Sequence, residues 1–555
     1  MVSVSLVESK TQGAPTALVR RTDGREFYLH SRYDPLEEAR FLVRDIPVRE
    51  RALYAVLGFG LGYHVKELMQ RIPRSSHIVV LEPDQACLSG QMLQHGGSRA
   101  AAWMHNDRLH FLGQRDPHAA HLYLADTMVR LRLLSFEMVT HIPSTLTAED
   151  FYRALLTGIP RGLPSSFQSH LNSLERMMEN DLQNFWANLP HSWDAAPVSC
   201  LRGKWSGRPL IIVSAGPSLT AALPILQKAG DRALLLATGS TAGILMARQT
   251  RPDLVIAVDP YEANVAHFRG WDHADVPLVY YHRVNRGILS LYSGPRFFFL
   301  MRDDPPLPPD NPADKPDFWQ GGSVAFSALQ LAHYLEANPV IFVGQDFAFA
   351  GGHTHAEGSA VDQTYDPSAL PKDYFLVPGV RGEPVVTNRM YHSYLLFMQD
   401  YLLRYAVSKP AVKHINTSQS GALIQGMECQ TLDQALAGLP EPAPVPSQEV
   451  IRSALARGRK IPPEAQRLML QKWCAELGHL LSQVGQARDF GRLFAGFKTT
   501  TAYAQAARTY DDICYLYESR YRGGDHQASS AFGNRFGAHL QWVHEQLCRI
   551  HGGPE

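Results

Sequence analysis

The sequence of 555 residues has few cysteines, and none of them are clustered. No CxxC pair occurs, which excludes the spacings typical of zinc ribbons and thioredoxin-like motifs. The six cysteines are Cys87, Cys200, Cys429, Cys474, Cys514 and Cys548. Thiols scattered in this way are typical of a reducing compartment, in which they stay unpaired. We therefore expect buried or incidental thiols in a cytoplasmic protein.

The sequence also lacks an excess of one charge and a long apolar run. Lys and Arg together number 53, as do Asp and Glu, and no basic block stands out. This balance argues against nucleic acid as a partner and against an anionic membrane surface. No apolar run reaches the roughly 18–20 residues that cross a bilayer, so we expect no integral membrane segment. The first residues do not show the basic-then-apolar pattern of a secretory signal.

The hydrophobic content of 45% is ordinary for a packed globular chain. Composition shifts and turn signals predict five segments along the sequence. These are an N-terminal β-hairpin region (1–50), a Rossmann-like domain (51–145), a helical connector (146–206), a central catalytic domain (207–440) and a helical C-terminal domain (441–555). The expected fold class is α/β, with tandem Rossmann-like, doubly wound parallel-sheet domains between a β-rich N-terminal extension and an α-helical C-terminal domain.

The first α/β segment contains a glycine-rich turn. A buried strand over 52–57 leads into Gly58-Phe59-Gly60-Leu61-Gly62, and a helix is predicted to follow. Glu82 stands twenty positions after Gly62, where a Rossmann-type unit holds a ribose. The glycine string is GxGxG, however, and not GxGxxG. Two interpretations stay open: a nucleotide site, or a tight crossover that binds nothing.

The central segment repeats short apolar strands that end in polar or glycine-rich tips. In an open parallel sheet, ligands gather outside the carboxyl ends of the strands, so these tips predict one crevice. The candidate residues at strand ends are Gly216, Pro217, Ser218, Thr238, Gly239, Ser240, Asp259, Gly344, Gln345 and Asp346. Gly322 and Ser323 precede a predicted helix over 324–335. The helix after Ser218 favours an anion at its N-terminus. Ser218 itself either donates a hydrogen bond to a phosphate oxygen or serves as the N-cap of that helix.

Histidines supply the candidate catalytic groups. His353 and His355 lie in a glycine-rich loop, where they are either metal ligands or hydrogen-bonding groups of a mobile lid. No further ligand set at a known spacing completes a metal site, so we expect none. His392 precedes a helix predicted over 394–405 and is either structural or catalytic. No GxxxxGK[ST] motif occurs, which argues against a P-loop nucleotide triphosphatase.

The motifs of the central segment resemble those of the motility-associated factor (Maf) flagellin glycosyltransferases. The resemblance lies in Ser214–Leu219, Val258-Asp259-Pro260, Gly344–Ala348 and Gly352–His355, and it is strongest over 208–430. The Gly-Pro-Ser-Leu turn is also similar to that of bacterial sialyltransferases that use CMP-sialic acid. In those enzymes a tyrosine that contacts phosphate follows the Asp-Phe pair, whereas Ala348 stands at that position here.

The resemblance implies transfer of a nonulosonic acid, of the pseudaminic or legionaminic type, from its CMP conjugate to Ser or Thr of flagellin. It implies an inverting, metal-independent displacement with no cofactor beyond the CMP-activated sugar. His392 is the approximate counterpart of the sialyltransferase catalytic histidine, and His355 and Asp346 are the other expected catalytic residues. The expected partners are flagellin and the CMP sugar.

Three other functions are weighed against this one. The same central turn is similar to that of archaeal enzymes that pyrophosphorylate a hydroxymethyl pterin (the MptE-like domain), which would need ATP and Mg²⁺. A flagellin-binding factor without catalysis would use the helical tail as its surface. A methyltransferase centred on Gly58–Glu82 would leave the central crevice unexplained.

Overall fold

The computed structural model describes most of the chain. The described residues are 2–83, 106–113, 117–302, 304, 307, 315–319, 321–359, 362–365, 370–371, 374–458, 461–484, 490–521 and 526–552. Two compact units are present: unit 1 comprises 1–174 with 399–409, and unit 2 comprises 175–398 with 410–555. The proline-rich loop predicted between Arg302 and Asp317 falls largely outside the described residues.

The described strands are short, and eight of the eighteen consist of buried residues throughout. In chain order they are β1 (Val2–Val7), β2 (Thr16–Arg21), β3 (Glu26–Tyr28), β4 (Ala52–Leu57), β5 (His77–Leu81), β6 (Leu109–Leu112), β7 (Ser135–Thr140), β8 (Ala196–Pro197), β9 (Leu210–Val213), β10 (Leu234–Thr238), β11 (Leu254–Ala257), β12 (Leu278–Tyr281), β13 (Arg296–Phe299), β14 (Val340–Val343), β15 (Tyr374–Pro378), β16 (Pro384–Asn388), β17 (His414–Asn416) and β18 (Glu428–Cys429).

The described helices lie between the strands and at the C-terminal end. They are α1 (Pro35–Val43), α2 (Tyr63–Arg71), α3 (Pro117–Arg130), α4 (Ile142–Thr145), α5 (Glu149–Ala187), α6 (Leu189–Asp194), α7 (Leu219–Leu226), α8 (Gly239–Ala247), α9 (Arg286–Leu291), α10 (Val324–Tyr334), α11 (Arg389–Ser408), α12 (Leu432–Ala437), α13 (Ser447–Arg457), α14 (Pro463–Val484), α15 (Phe490–Phe497), α16 (Thr501–Tyr521) and α17 (His526–Gly552). None of these helices is both long enough and apolar enough to cross a membrane.

Unit 1 begins with a three-stranded antiparallel sheet in the order β1-β2-β3. The β2–β3 hairpin around Asp23-Gly24 confirms the turn read from the sequence, and Gly24 has φ +84°. Two elements were not foreseen: β1, which pairs with β2 along its length, and α1, which begins after the N-cap Asp34. Asp34 accepts hydrogen bonds from the backbone N–H groups of Leu36 and Glu37, which stabilises the first turn of α1.

The rest of unit 1 is built on a four-stranded parallel sheet in the order β6-β5-β4-β7. All six residues of β4 are buried, as expected for a strand covered on both faces. The predicted strand–turn–helix–strand succession is confirmed, with the glycine turn between β4 and α2. The side chain of Glu82 is 1% exposed, and it accepts a hydrogen bond from the Phe59 N–H at 3.0 Å. This carboxylate therefore holds the glycine turn.

Unit 2 is built on a nine-stranded parallel sheet in the order β18-β17-β14-β9-β10-β11-β12-β13-β8. Strands β10 to β13 follow β9 in order on one side of it. Strand β14 pairs with β9 on the other side, and β17 pairs with β14. The direction of winding therefore changes between β9 and β14, and ligands bind at such a switch point in open α/β sheets. The predicted doubly wound α/β class is confirmed.

Both edges of this sheet are very short. One edge strand is β8, which pairs through Ala196 and Pro197, and the other is β18, which pairs through Glu428 and Cys429. The C-terminal end of unit 2 is helical, as predicted. Apolar residues spaced three or four positions apart in two of its helices are buried: Leu470, Trp473, Leu477 and Leu480 in α14, and Phe536, Leu540, Val543 and Leu547 in α17.

One expectation about the cysteines was wrong. Cys474 of α14 and Cys548 of α17 form a disulfide, although 74 positions separate them in the chain. The cause is the packing of these two helices against each other, which a scan for local CxxC spacing cannot detect. Cys200, Cys429 and Cys514 are not part of a disulfide.

Candidate functional site

The site begins where β9 and β14 end side by side at the switch point of the large sheet. After β9 the chain makes the turn Ser214–Ser218 and enters α7, and after β14 it continues into Gly344, Gln345 and Asp346. The two tips are joined by the hydrogen bond from Gly216 N to Gly344 O at 2.9 Å. A second link runs from the Ser214 hydroxyl to Gln345 Oε1 at 2.8 Å. The sequence prediction that these tips meet is confirmed.

Asp346 organises this junction from a buried position. Its side chain accepts from the Ser218 backbone N–H at 2.7 Å, from the Ser218 hydroxyl at 2.6 Å, and from the Ser418 hydroxyl. Burial raises the pKa of Asp346, and the hydrogen bonds from Ser218 and Ser418 oppose that rise. These hydrogen bonds connect the Asp346 carboxylate to the glycine turn, so Asp346 holds the turn in position.

This geometry corrects the role expected of Ser218. Its hydroxyl proton is directed at Asp346, so it is not available to a phosphate oxygen without breaking that bond. The alternative role as an N-cap also fails, because the Ser218 side chain makes no capping bond to α7. Ser218 and Pro217 are both absent from the cavity lining described below. Ser218 instead ties the turn to the strand end that carries Asp346.

The two tips approach so closely that side chains would not fit. A Cβ on Gly216 would lie 2.5 Å from Asp346 Oδ2 and 2.5 Å from Gly344 O. A Cβ on Gly344 would lie 2.1 Å from Ser214 O, and Gly344 has φ +71°. Phe347 follows with φ +49°, which is uncommon for a residue other than glycine and marks strain at the strand end. The glycines are thus needed for the closeness of the junction.

A cavity of about 400 Å³ opens at these tips, within the range of small-molecule sites. All the sequence-predicted site residues line it except Pro217, Ser218, His353 and His392. They are Gly216, Thr238, Gly239, Ser240, Asp259, Gly322, Ser323, Gly344, Gln345, Asp346 and His355. Residues from six separate segments of unit 2 are therefore brought together as expected.

The N-terminal ends of three helices form part of the cavity wall. Gly239 and Ser240 open α8, Ser323 caps α10, and Tyr391 lies in the first turn of α11. Ser323 caps its helix by accepting the Phe326 N–H at 3.2 Å. Helix N-termini carry a partial positive charge. Among the described residues of the lining none is Lys or Arg, so the helix ends are its principal source of positive potential.

Asp259 is the second acidic group of the lining. Burial raises the pKa of Asp259 to about 6. Its backbone carbonyl accepts the Asn285 N–H at 2.9 Å, which fixes the strand end. Asp259 and Asp346 both line the cavity, but the Asp346 carboxylate is occupied by Ser218 and Ser418.

His355 and Tyr391 form a hydrogen-bonded pair at the cavity. Tyr391 Oη lies 3.3 Å from His355 Nε2, and His355 Nδ1 lies 3.0 Å from Thr354 Oγ1. The backbone N–H of His355 donates to Asp362 Oδ1 at 2.9 Å. Burial lowers the pKa of His355, and the charge of Asp362 partly offsets this. The imidazole is therefore neutral near pH 7 and able to accept a proton.

His392 lies outside the cavity lining. Helix α11 begins at Arg389 rather than at Tyr394, because Asn388 accepts the Tyr391 N–H at 2.9 Å and starts the helix earlier. His392 therefore lies inside the helix and is 3% exposed. Its ring packs edge-to-face on that of Phe375, with the ring centroids 5.2 Å apart. Its catalytic role stays a prediction.

Two further sequence interpretations concern charged groups near the site. His353 pairs with Asp362 through Nδ1 at 2.8 Å, and no metal-ligand cluster among the described residues includes it. The run Arg302-Asp303-Asp304, which borders a proline-rich segment, predicts solvated side chains, and for Asp304 this prediction is wrong. Asp304 is 1% exposed and accepts from Arg283 at 3.0 Å, and Arg283 also donates to Asp181 at 2.9 Å.

Sequence reasoning missed several lining residues. Tyr391, Tyr394, Asn264 and His267 line the cavity but lie in helical segments rather than at strand ends. Asn388 is a residue type that favours the N-cap position, and this signal could have predicted that α11 begins at Arg389, with Tyr391 in its first turn. The others have no local signal.

Comparisons with known proteins agree with the central resemblance. Residues 183–352 match the family model described as "6-hydroxymethylpterin diphosphokinase MptE-like". The match covers less than half of the chain. The matched residues contain the glycine turn, Asp259 and the strand end with Asp346, and the match confirms the similarity to the MptE-like domain that those motifs indicated.

Two individual proteins are also similar to this chain. An uncharacterized protein of Treponema pallidum (strain Nichols) is 24% identical over 376 residues, which cover 63% of this chain and 60% of that protein. The chain thus spans well under two thirds of the length of this relative. A solved structure, the MAf glycosyltransferase from Magnetospirillum magneticum AMB-1, is 14% identical, with a TM-score of 0.38 over 99% of this chain and 92% of that one.

Proposed function

We propose that this protein is a glycosyltransferase that moves a nonulosonic acid from its CMP conjugate to Ser or Thr of flagellin in the cytoplasm. The observation that carries the proposal is the cavity at the switch point, which combines helix N-termini with acidic and imidazole groups. A CMP sugar leaves with a single phosphate. Helix N–H groups can meet that charge.

The proposed reaction is a single inverting displacement. The acceptor hydroxyl oxygen attacks the anomeric carbon, the bond from that carbon to the phosphate oxygen breaks, and CMP departs with the electron pair. The hydroxyl proton passes to a base on the enzyme. General bases of this kind contribute about 10²–10⁴ in rate. We propose that no metal ion is required, since one phosphate carries less charge than the diphosphate of a common sugar nucleotide.

Among the predicted catalytic residues, the geometry favours His355 as the base. It lines the cavity, and its pKa is lowered, so that it is unprotonated and ready to accept the proton. Asp346 acts by positioning, since its carboxylate is occupied by Ser218 and Ser418. Asp259 lies free to contact the ribose or the sugar. Tyr391 takes the place of the tyrosine absent at Ala348, because its hydroxyl reaches the same cavity.

The decisive experiment uses purified protein, unglycosylated flagellin and a CMP-nonulosonic acid, with intact-mass analysis of the flagellin. The expected result is a mass increase of one or more sugar units, together with release of CMP in equal amount. Calorimetric titration with CMP should show binding in the absence of Mg²⁺. No mass change and no uptake of CMP would overturn the proposal.

A second candidate function has one specific observation in its favour, the match of 183–352 to a diphosphokinase family model. A pterin pyrophosphokinase would transfer a diphosphate from ATP to a hydroxymethyl pterin and would need Mg²⁺. Calorimetric titrations with CMP and with ATP plus Mg²⁺ distinguish the two proposals. Preference for ATP with Mg²⁺ over CMP, together with AMP release on adding the pterin, would favour the diphosphokinase.

A further inference from the structure

Unit 1 contains a cluster of three buried histidines that the proposed function does not use. His30 follows β3, His64 lies in the first turn of α2, and His141 follows β7, so the three come from separate segments. They are 3%, 1% and 3% exposed, respectively. Ring centroids are 4.4 Å apart for His64 and His141 and 4.6 Å apart for His30 and His141. One ring nitrogen from each lies within 4.8 Å of those of the other two.

The cluster occupies the switch point of the four-stranded sheet. Strand β4 has β5 on one side and β7 on the other, so the winding direction changes between β4 and β7. The glycine turn after β4 makes room for the imidazoles. A Cβ on Gly60 would lie 2.5 Å from His30 Nε2 and 3.0 Å from His141 Cε1. The glycine turn Gly58–Gly62, for which the sequence left a nucleotide site open, therefore lies against histidines.

Hydrogen bonds to one nitrogen of each ring leave the other nitrogen for a ligand. His64 Nε2 donates to Gly58 O at 3.0 Å, so its Nδ1 carries the lone pair. His30 Nδ1 donates to the Glu38 carboxylate at 3.2 Å, so its Nε2 carries the lone pair. His141 Nδ1 lies 2.6 Å from the Ser144 hydroxyl, which can accept its proton and leave Nε2 as the ligand atom. This arrangement of outer partners is the usual one for metal-binding histidines.

Two of the remaining nitrogens lack any partner. His64 Nδ1 and His141 Nε2 are buried and make no hydrogen bond to a described residue. Buried polar atoms of this kind are rare in proteins, because an unsatisfied buried donor or acceptor is energetically costly. A ligand that both nitrogens could bind would remove this cost.

We propose that unit 1 binds a divalent transition-metal ion of the zinc type through His30 Nε2, His64 Nδ1 and His141 Nε2. Imidazole is a preferred ligand of Zn²⁺, and three histidines with a fourth position are a known donor set. Binding requires two local rearrangements. The Leu61 N–H, which donates to His30 Nε2 at 2.9 Å, must give way to the ion. The rings of His64 and His141, stacked at 12°, must tilt apart to direct both lone pairs at one point.

The test is a titration of the chelator-treated full-length protein with Co²⁺, followed by its visible absorption, and with Zn²⁺, followed by calorimetry. Wild-type protein is expected to take up one equivalent, with spectra that lack thiolate charge-transfer bands. His64→Ala and His141→Ala are each expected to weaken binding at least tenfold. Gly60→Ala, which crowds His30 without removing a ligand, is expected to weaken it as well.

Two control variants are available in the chain. His77→Ala removes a histidine of unit 1 that pairs with His110 through Nδ1 at 3.1 Å and lies outside the cluster. His544→Ala removes the histidine of the other His/Cys group, with Cys474 and Cys548. Both should bind the ion as the wild type does. If binding is instead lost in His544→Ala, or is unchanged in both cluster variants, the proposal is overturned.

The melting temperature of the wild-type protein tests the proposal without any variant, so the test does not depend on whether the variants fold. A bound ion stabilises the folded state by mass action, so Zn²⁺ should raise the melting temperature of the chelator-treated protein, and renewed chelation should reverse the rise. Absence of both the rise and the Co²⁺ spectrum would overturn the proposal. Sugar transfer is a separate readout, so this outcome leaves the proposed function untouched.

Discussion

The carboxylate of Asp346 accepts hydrogen bonds from both the backbone N–H and the hydroxyl of Ser218, at 2.7 and 2.6 Å, across 128 positions of sequence. This pair joins the ends of β9 and β14 at the switch point of the large sheet. The turn that faces the cavity is consequently held by a side chain from the neighbouring strand. The cavity geometry depends on this link.

Replacement of Asp346 by Asn should therefore loosen the turn. The amide keeps one acceptor oxygen but places an NH₂ group against a donor, so one of the two bonds from Ser218 is lost. Hydrogen bonds to a charged group are worth about 1.5–3 kcal/mol, and CMP affinity in a calorimeter should fall at least tenfold. Asp272→Asn is the control, since Asp272 is exposed, lies outside the cavity lining and accepts the Ala274 N–H. Equal affinity in the two variants would show that the link does not matter for binding.

Replacement of Gly216 by Ala should disrupt the same junction from the other side. The added Cβ would lie 2.5 Å from both Asp346 Oδ2 and Gly344 O, which forces the two tips apart. Overpacking of this kind costs about 1–3 kcal/mol, and we expect transfer to fall at least tenfold. Gly438→Ala is the matched control, because its Cβ would have no neighbour closer than 3.7 Å. Initial rates of both variants, with circular dichroism as a check of folding, decide the matter.

Asp259 should make the stability of the protein depend on pH. Its folded pKa of about 6 lies above the value of about 3.9 in an unfolded chain. The folded state therefore holds the proton more tightly, and stability falls as the pH rises through this window. Asp259→Asn removes the ionisation, so the variant should melt higher than the wild type at pH 8 and at the same temperature at pH 4. Melting curves that show a constant difference at both pH values would contradict the assignment.

His355 and His392 can be separated by paired substitution. His355 lines the cavity, so His355→Ala should lower transfer at least about a hundredfold with little change in CMP affinity. His392 is buried beside Phe375 outside the lining, so His392→Ala should mainly lower the melting temperature. Single-turnover rates measured well below both melting temperatures give the comparison. A hundredfold loss in His392→Ala alone would restore the role that the sequence resemblance implies.

The parallel strands were predictable because they are short apolar runs bounded by glycine, proline or acidic residues. Strands β4 and β14 begin and end where the sequence indicated. The rule that strand ends converge at a switch point also located most of the cavity. It succeeded because topology alone fixes which ends meet, without knowledge of side-chain positions.

Other features depend on tertiary contacts that leave no local signal. The Ser218 hydroxyl was expected to meet a ligand, and only the fold shows that Asp346 takes its proton. The three histidines of unit 1 lie at positions 30, 64 and 141, and no spacing rule connects them. Cys474 and Cys548 likewise meet because two helices pack side by side.

The two-residue edge strands of the large sheet offer little backbone for pairing with another chain. Pro197 has no N–H to offer at one edge, and Glu428 and Cys429 present only a short exposed segment at the other. If the protein modifies a polypeptide as proposed, this sheet gives the acceptor chain no template for strand addition. Side chains and loops then hold the acceptor, so that its local shape, rather than backbone pairing with this sheet, selects the hydroxyl.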